Sequence, residues 1–385
     1  MSAERRERYQ FSVIRERMQE YPGQVLDFAL GELQHELPPS LVGLATGSAS
    51  PILERASLDE HHEFGRRAAA YLSREFGVVV EPEQILPVPS GRVAMTALTA
   101  CLLEPGDGVV VTEPGYPAFA RVASHRHCRV HSVPLDPDAG FLPDLSSLFT
   151  DQVEGVRLAA LNYPNNPTGS VLAPETIEVL IENLGNSPIL FNDSTYGPLV
   201  YNQPPTSLLA DSIGVEAEQG VVELHSLAKL FSLGPLAISF LIGSPEIIEQ
   251  LRRYSDFAWS PLSSLHIQVA AQALEEEQYI EGVRELYRRR VERVRGGLSH
   301  LGFQPFPTPS GLYVLTRVPA SIAGREVTTA REAADLLLDE FGVAVAFWDI
   351  EGTGYLRFTS LYGEGNMARL VDMKDEMRIS ESSSA

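Results

Sequence analysis

One of the chain's two lysines sits where it could act on a carbonyl. Lys229 lies in the stretch His225-Ser226-Leu227-Ala228-Lys229-Leu230-Phe231, after an apolar run at 221–224 that reads as a buried strand. The other, Lys374, stands among Asp372, Asp375 and Glu376, the setting of a solvated surface charge. Lys229 has no acidic neighbours in sequence, and a lysine amine kept from water is available to form a Schiff base. Further along, Arg357 falls inside the apolar strand pattern 355–359. A buried guanidinium needs an anionic partner. That partner is either a structural carboxylate or the carboxylate of a substrate held by a two-pronged fork. Ser90-Gly91-Arg92 forms a third group. An extended run at 85–88 meets Ser-Gly and then a helical pattern with Val93, Met95, Leu98 and Leu102 on its apolar face. Such a helix start offers outward N–H groups and a positive dipole end to an anion. Arg92 in the first turn is misplaced by the same dipole unless an anion lies opposite.

Composition limits the classes of function. The chain has 385 residues, 44% apolar and 21% charged, with a net charge of −21. That charge argues against a nucleic-acid partner, and the length allows two domains. Cys101 and Cys128 supply neither a disulfide framework nor metal-ligand spacing. The N-terminus is charged from Glu4 to Arg8, unlike an export signal, and no apolar run approaches a membrane span. The expectation is a cytoplasmic protein with a small-molecule substrate, no metal and no membrane partner.

The elements that must position these residues alternate. Residues 4–20 carry a helical pattern of mixed charge, an N-terminal arm. Residues 41–60 read as irregular and 63–76 as a helix closed by Gly77. Apolar strands follow at 109–112, 130–133, 158–161 and 188–193, with a helix at 174–184. Near-continuous apolar strands separated by helices mean a largely parallel sheet covered on both faces. Ligands of such sheets bind at the carboxyl ends of the strands. Asn166, Asp193 and Lys229 all follow such ends and are expected to converge. The run Asn162-Tyr163-Pro164-Asn165-Asn166-Pro167 reads as a rigid turn with a candidate cis peptide. Helices at 246–256, 265–275 and 277–301 lead to a second unit with strands at 311–315, 343–347 and 355–359 and a helix at 329–341.

Four motifs in this order resemble the class I/II aminotransferase family of fold-type I pyridoxal-phosphate enzymes. They are Asn166-Pro167-Thr168-Gly169, Asp193-Ser194-Thr195-Tyr196, Ser226-Leu227-Ala228-Lys229 and Leu356-Arg357-Phe358. The resemblance covers about residues 25–375. It implies an aspartate-aminotransferase-like α/β fold: a mostly parallel central sheet with helices on both faces plus a smaller α+β domain. Residues 1–44 would be the arm and part of the small domain, 45–285 the large cofactor domain, 286–375 the small domain and 376–385 a disordered tail. It implies pyridoxal 5′-phosphate as cofactor, an α-amino acid substrate and a homodimer, with 41–62 and 257–264 facing the partner subunit. By the same resemblance Lys229 is the Schiff-base lysine and moves protons at the substrate α-carbon. Asp193 pairs with the pyridine nitrogen, Asn166 and Tyr196 reach the ring's 3-oxygen, and Tyr116 stacks on the ring. Ser90, Gly91, Arg92 and Ser226 surround the phosphate. Arg357 clamps the α-carboxylate, Gly31 lets the N-terminal segment approach the substrate, and Asn166 also borders it.

Four departures from the family pattern fall near the expected site. Ala237 stands where the family carries a phosphate-binding arginine, so Arg92 is expected to replace it. Ser194 stands where a glutamate follows the ring-binding aspartate. The segment Asp59-Glu60-His61-His62-Glu63 shows no tyrosine to lend to a neighbouring subunit. A Pro-Gly-x-x-Phe-Gly loop is missing before the arginine strand, where the chain reads Phe347-Trp348-Asp349-Ile350-Glu351-Gly352. Acids and histidines at Glu32, His35, Glu36, Asp59, His61 and His62 are expected on the substrate side, to bind a cationic side chain or act on it as acids and bases. The reaction therefore stays open between transamination and side-chain chemistry: elimination, replacement, cyclisation or oxidation. A catalytically silent binding module is the reading from another class, and Lys229, Asp193, Asn166, Tyr196 and Arg357 together argue against it.

Overall fold

The computed structural model describes residues 9–30, 35–47, 54–143, 155–184, 189–210, 220–233, 236, 238–350 and 352–380. Its centre is a seven-stranded sheet in the order β2-β8-β7-β6-β5-β3-β4. The strands are β2 (Ile85–Val88), β3 (Gly108–Glu113), β4 (Arg129–Pro134), β5 (Val156–Leu161), β6 (Ile189–Asp193), β7 (Val221–Ser226) and β8 (Ser239–Gly243). All pair in parallel except β8, which runs antiparallel to both neighbours. β6 and β7 are buried along nearly their whole length, as strands covered on both faces must be. The carboxyl ends of six strands thus share one edge, where Ser90, Tyr116, Asn162, Asp193 and Ser226 emerge.

A second sheet of three antiparallel strands holds β13 (Ala346–Ile350), β14 (Thr353–Thr359) and β9 (Tyr313–Arg317), with β14 in the middle. A small hairpin, β10 (Ser321–Ile322) with β11 (Arg325–Glu326), follows β9. Alternation along β14 divides its two faces. Leu356 and Phe358 pack with Val294, Leu298 and Leu337 of the helices Glu277–Leu301 and Ala330–Phe341. Arg357 therefore points the other way, towards the large sheet. The strand expected at 343–347 is divided: β12 (Val343–Ala344) pairs in parallel with β1 (Leu26–Asp27), and β13 begins after it. This pairing ties the N-terminal segment to the C-terminal unit.

Three expectations are corrected. Residues 39–47 are helical where irregular chain was read. The next helix begins at Leu58, not at 63, because Ser57 and Glu60 form a capping box. The Ser57 hydroxyl accepts from the Glu60 amide at 3.2 Å and the Glu60 carboxylate accepts from the Ser57 amide at 2.7 Å. Before 381 the tail is ordered: Lys374–Met377 is a helical turn, and Ser380 bridges to Ser321.

The site edge is braced from beneath by Glu223, a fully buried carboxylate in β7. It accepts from Asn192 Nδ2 at 3.1 Å, from the Leu208 amide at 3.0 Å and from the Ser207 hydroxyl, and His225 Nε2 lies 3.4 Å away. Burial works to raise its pKa, but His225 and the other donors outweigh it, and the net direction is down. Asn192, so oriented, accepts from the Tyr163 amide at 2.8 Å and donates to the Tyr163 carbonyl at 2.9 Å. A buried carboxylate thus fixes the loop after β5. Glu223→Gln removes a buried acceptor from Asn192, the Leu208 amide and Ser207 and puts an amide in its place, and should cost roughly 3 kcal/mol in urea unfolding near neutral pH. Because the folded pKa is depressed, the carboxylate's contribution is present above 4.5, the ordinary glutamate value, and is lost as pH falls through the folded value. The gap between wild type and variant should therefore narrow in acid; a gap that stays constant with pH would contradict this role.

Candidate active site

A cavity of about 400 Å³ opens at the strand ends, within the roughly 300–1,000 Å³ range of small-molecule sites. Ser90, Gly91, Arg92, Tyr116, Asn166, Asp193, Tyr196, Ser226, Lys229 and Arg357 all line it. Sequence reasoning named each of them, and the fold brings them together from six separate segments. Gly31 and Ala237 lie outside the described residues.

Asp193 ends β6 with its side chain buried. Its Oδ1 accepts from the Thr195 amide at 3.1 Å and the Thr195 hydroxyl at 2.5 Å. Burial raises its pKa, opposed by those bonds and by the charges of His225 and Lys229. A cation set against this carboxylate would favour its ionised form. Asn162 braces the same strand end: its Nδ2 donates to the Asp193 carbonyl at 3.0 Å and its Oδ1 accepts from the Asn166 amide at 3.1 Å. The turn that carries Asn166 includes the cis peptide Tyr163–Pro164, where the sequence placed a candidate. Gly169 closes it at φ +76°, and a Cβ there would come within 2.9 Å of the Ser310 carbonyl oxygen, so no other residue fits.

At the other end of the cavity Ser90 caps the helix Gly91–Leu102, its hydroxyl accepting from the Val93 amide at 3.3 Å. Arg92 is exposed at the cavity and makes no ion pair with a described residue. Ser226 accepts from the Ala228 amide at 3.3 Å and from the Ser239 hydroxyl at 3.1 Å. The Tyr116 hydroxyl accepts from Tyr9 at 3.4 Å, and burial pushes its pKa up.

Arg357 is 2% exposed, yet no carboxylate among the described residues pairs with it. Nη1 donates to Asn166 Oδ1 at 3.0 Å and Nη2 to the Ala29 carbonyl at 2.6 Å, while buried Nε has no partner. The guanidinium lies 3.9 Å from the Tyr313 ring centre, 5.0 Å from Phe11 and 5.5 Å from Trp348. Of the two readings of this arginine, the structural carboxylate is not found among the described residues. A buried cation held by neutral acceptors and ring faces is suited to a carboxylate that comes and goes.

The structure adds residues that sequence reasoning missed. The helix Gln10–Glu20 brings Tyr9, Phe11 and Arg15 to the cavity wall. Tyr313 of β9 meets Tyr196, hydroxyl to hydroxyl at 3.0 Å. Burial works to raise the Tyr313 pKa, but Lys229, Arg357 and the Tyr196 bond outweigh it and lower it. Tyr313 shares the Arg357 face of the small sheet through the register of β9 with β14, which no local sequence pattern specifies. Of the acids and histidines expected on the substrate side, none of the described ones lines this cavity. His35 is held by the Tyr287 hydroxyl at 2.8 Å and the Leu230 carbonyl at 3.0 Å. Glu36, His61 and His62 do not line the cavity, and Asp59 lines a separate one of about 360 Å³. Glu32 lies outside the described residues.

The residues present suit pyridoxal phosphate: a lysine, a buried acid, a helix start with a free arginine, and an arginine with an orphaned buried N–H. The fold and this donor set define a pyridoxal-phosphate-dependent enzyme. The sequence profile described as aminotransferase class I and II matches residues 23–372, and the chain belongs to that family. It is an aminotransferase-like enzyme of amino-acid metabolism, and its cofactor is pyridoxal 5′-phosphate. The chain is 27% identical over 364 residues to LL-diaminopimelate aminotransferase of Methanocaldococcus jannaschii, covering 92% of this chain and 86% of that protein. It is 26% identical over 355 residues to transaminase BacF of Bacillus subtilis, covering 90% of this chain and 87% of the relative. The substrate-bound structure of BacF superposes with a TM-score of 0.87 over 98% of this chain and 96% of that one, at 23% identity.

Two outcomes check the assignments around the cofactor. Borohydride reduction of the loaded enzyme followed by peptide mapping should place the cofactor on Lys229; an adduct on Lys374 would refute the assignment. Arg92→Ala should weaken cofactor binding roughly tenfold, ~1.4 kcal/mol for a charge-assisted contact at an exposed site. Unchanged affinity in equilibrium dialysis would remove Arg92 from the phosphate site.

Proposed function

We propose that the enzyme is a transaminase that accepts an α-amino acid through Arg357 and moves its α-proton with Lys229. The observation that carries this reading is the buried Arg357, without a carboxylate partner among the described residues, facing the cavity that Lys229 and Asp193 share. The bound cofactor supplies an aldehyde that takes up the substrate amine and a pyridinium ring that draws electrons from the α-carbon. Arg357, with Asn166 on one prong, fixes the α-carboxylate and so presents the α-hydrogen to one side. Lys229 takes that proton on Nζ and returns it elsewhere. Asp193, screened from water, keeps a positive charge on the group placed against it. Tyr196 and Tyr313 form a hydrogen-bonded pair above the same floor, and the cap of Ser90 with Gly91, Arg92 and Ser226 holds the phosphate. Trp348 and Phe11 keep water from the guanidinium.

Transamination is favoured over side-chain chemistry by the placement of acid–base groups. The histidines and acids that could work on a substrate side chain are absent from the cavity wall among the described residues, and Asp193 lies on its floor. The named relatives are an LL-diaminopimelate aminotransferase and a transaminase. Mixed with a suitable amino acid and no acceptor, the enzyme should release one equivalent of 2-oxo acid per site and stop. Continued turnover without an acceptor would overturn the reading in favour of elimination, replacement, cyclisation or oxidation.

We further read the active unit as a cytoplasmic homodimer. The two segments expected at the partner lie side by side: the Ala56 amide donates to the Leu262 carbonyl at 3.1 Å and the Ser264 amide to the Glu54 carbonyl at 3.0 Å. They expose large apolar side chains, Leu58 at 88% and Phe257 at 78%. Isologous pairing would cover both. Phe257→Asp should shift the sedimenting species towards monomer; an active wild-type monomer at assay concentration would contradict the proposal.

A further inference from the structure

Two buried hydroxyls in the cavity have a proton left over. Tyr196 follows β6 and Tyr313 begins β9; they are 5% and 7% exposed, and both line the cavity with Lys229 and Arg357. Their hydroxyls lie 3.0 Å apart, and among the described residues each is the other's one hydrogen-bond partner. Backbone bonds set the pair. The Gly311 amide donates to the Leu199 carbonyl at 2.9 Å and the Tyr201 amide to the Pro309 carbonyl at 3.0 Å, so the chain entering β9 is tied to the chain leaving Tyr196. The rings meet edge to face, centres 5.7 Å apart. A hydroxyl pair carries two protons, and its own bond uses one. The hydroxyl that accepts therefore keeps a proton for a third group.

The charges around the pair decide which hydroxyl that is. Lys229 after β7, Arg357 of β14 and Asp193 at the end of β6 all act on it. Arg357 Cζ lies 3.9 Å from the Tyr313 ring centre. Burial raises the Tyr196 pKa well above the ordinary tyrosine value, and the neighbouring Tyr313 adds to the rise. Burial works to raise Tyr313 too, but Lys229, Arg357 and the Tyr196 bond bring it below that value. Tyr313 is thus the stronger acid and the better donor. Its proton goes to the Tyr196 oxygen, and the Tyr196 proton is left for the cavity. We infer that Tyr313 is a positioning residue: its hydroxyl donates to Tyr196 and turns the Tyr196 proton to the cofactor's 3-oxygen, so that two hydroxyls in series hold that oxygen. This rests on the assignment of Tyr196 to the 3-oxygen.

Donors in series strengthen one another by polarisation, most where water is excluded. The 3-oxygen is a neighbour of the nitrogen that joins Lys229 to the cofactor, and it accepts from that nitrogen when the nitrogen is protonated. A strong donor on the oxygen weakens this hold and lowers the pH at which the nitrogen loses its proton. The Tyr313 hydroxyl thereby acts on the reacting nitrogen through Tyr196. The Tyr313 ring has a separate task, stacking on Arg357, and phenylalanine in its place would keep that contact.

The visible absorbance of the cofactor-loaded enzyme reports the proton on that nitrogen. It needs no turnover, so the test holds whichever reaction follows. Tyr196→Phe should raise the pH midpoint of the absorbance change by roughly 1–2 pH units, the loss of one hydrogen bond to a charged group. Tyr313→Phe should raise it by about half a pH unit, the part that a second donor in series adds. The double variant should titrate with Tyr196→Phe alone, because Tyr313 acts through Tyr196. A shift from Tyr313→Phe that adds in full to that of Tyr196→Phe would overturn the inference. So would a midpoint that Tyr313→Phe leaves unmoved: if Tyr196→Phe still moves it, Tyr196 keeps its place at the 3-oxygen and only the series fails, and if neither variant moves it, both assignments fail.

Discussion

The buried guanidinium of Arg357 is the constraint around which this molecule is arranged. A charge taken from water without a counter-charge is costly. Here it is held by an amide oxygen, a backbone carbonyl and three aromatic faces. Those contacts reduce the cost without neutralising the charge, and they draw on distant parts of the chain. Asn166 comes from the loop after β5, Ala29 from the N-terminal segment, Tyr313 and Trp348 from the two strands flanking β14. The loop that carries Asn166 is itself fixed by Asn192, and Asn192 by the buried Glu223. A run of polar contacts thus leads from beneath the large sheet to the arginine of the small one. The two sheets meet through it at the cavity.

The sequence made the large-sheet part of this site legible. Asn166, Asp193 and Lys229 each follow a strand whose apolar run is plain, so their convergence follows from the rule that parallel strands present their carboxyl ends together. Arg357 was legible as an anomaly, a charge inside an apolar strand, though its partners were not. Tyr313 and Trp348 reach it because β9 and β13 flank β14 in one register, and register between distant strands is not written in any local pattern. Phe11 and Arg15 depend on where an arm docks, which composition cannot say. The helix start at Ser57 is a different case. Its capping-box spacing was present in the chain, but the run of acids and histidines after it was expected on the substrate side, whereas it forms the first turn of a helix.

The misplaced acids and histidines carry a lesson about charge. In a protein of net charge −21, acidic residues near a site in sequence say little about the site. The described cavity wall has the opposite sign, with four cations and one carboxylate. Such a local reversal favours anionic ligands and draws them in against the field of the whole molecule. It agrees with a phosphate-bearing cofactor and a substrate recognised by carboxylate. The fold is shared with enzymes of differing substrates, and fold alone does not choose among them. The choice lies with side chains outside the motifs that identify the family.

The central claim is that Arg357, buried and without a carboxylate partner among the described residues, is kept so for a ligand, not for the fold. Equilibrium unfolding of cofactor-loaded wild type and Arg357→Met, with and without a simple carboxylate such as propionate, tests it directly. Without carboxylate the two proteins should unfold within about 1 kcal/mol of each other, because lost hydrogen bonds are offset by removal of a buried charge. Added carboxylate should stabilise the wild type alone, by mass action. A variant weaker by roughly 3 kcal/mol or more, or one stabilised by propionate as much as the wild type, would contradict the account.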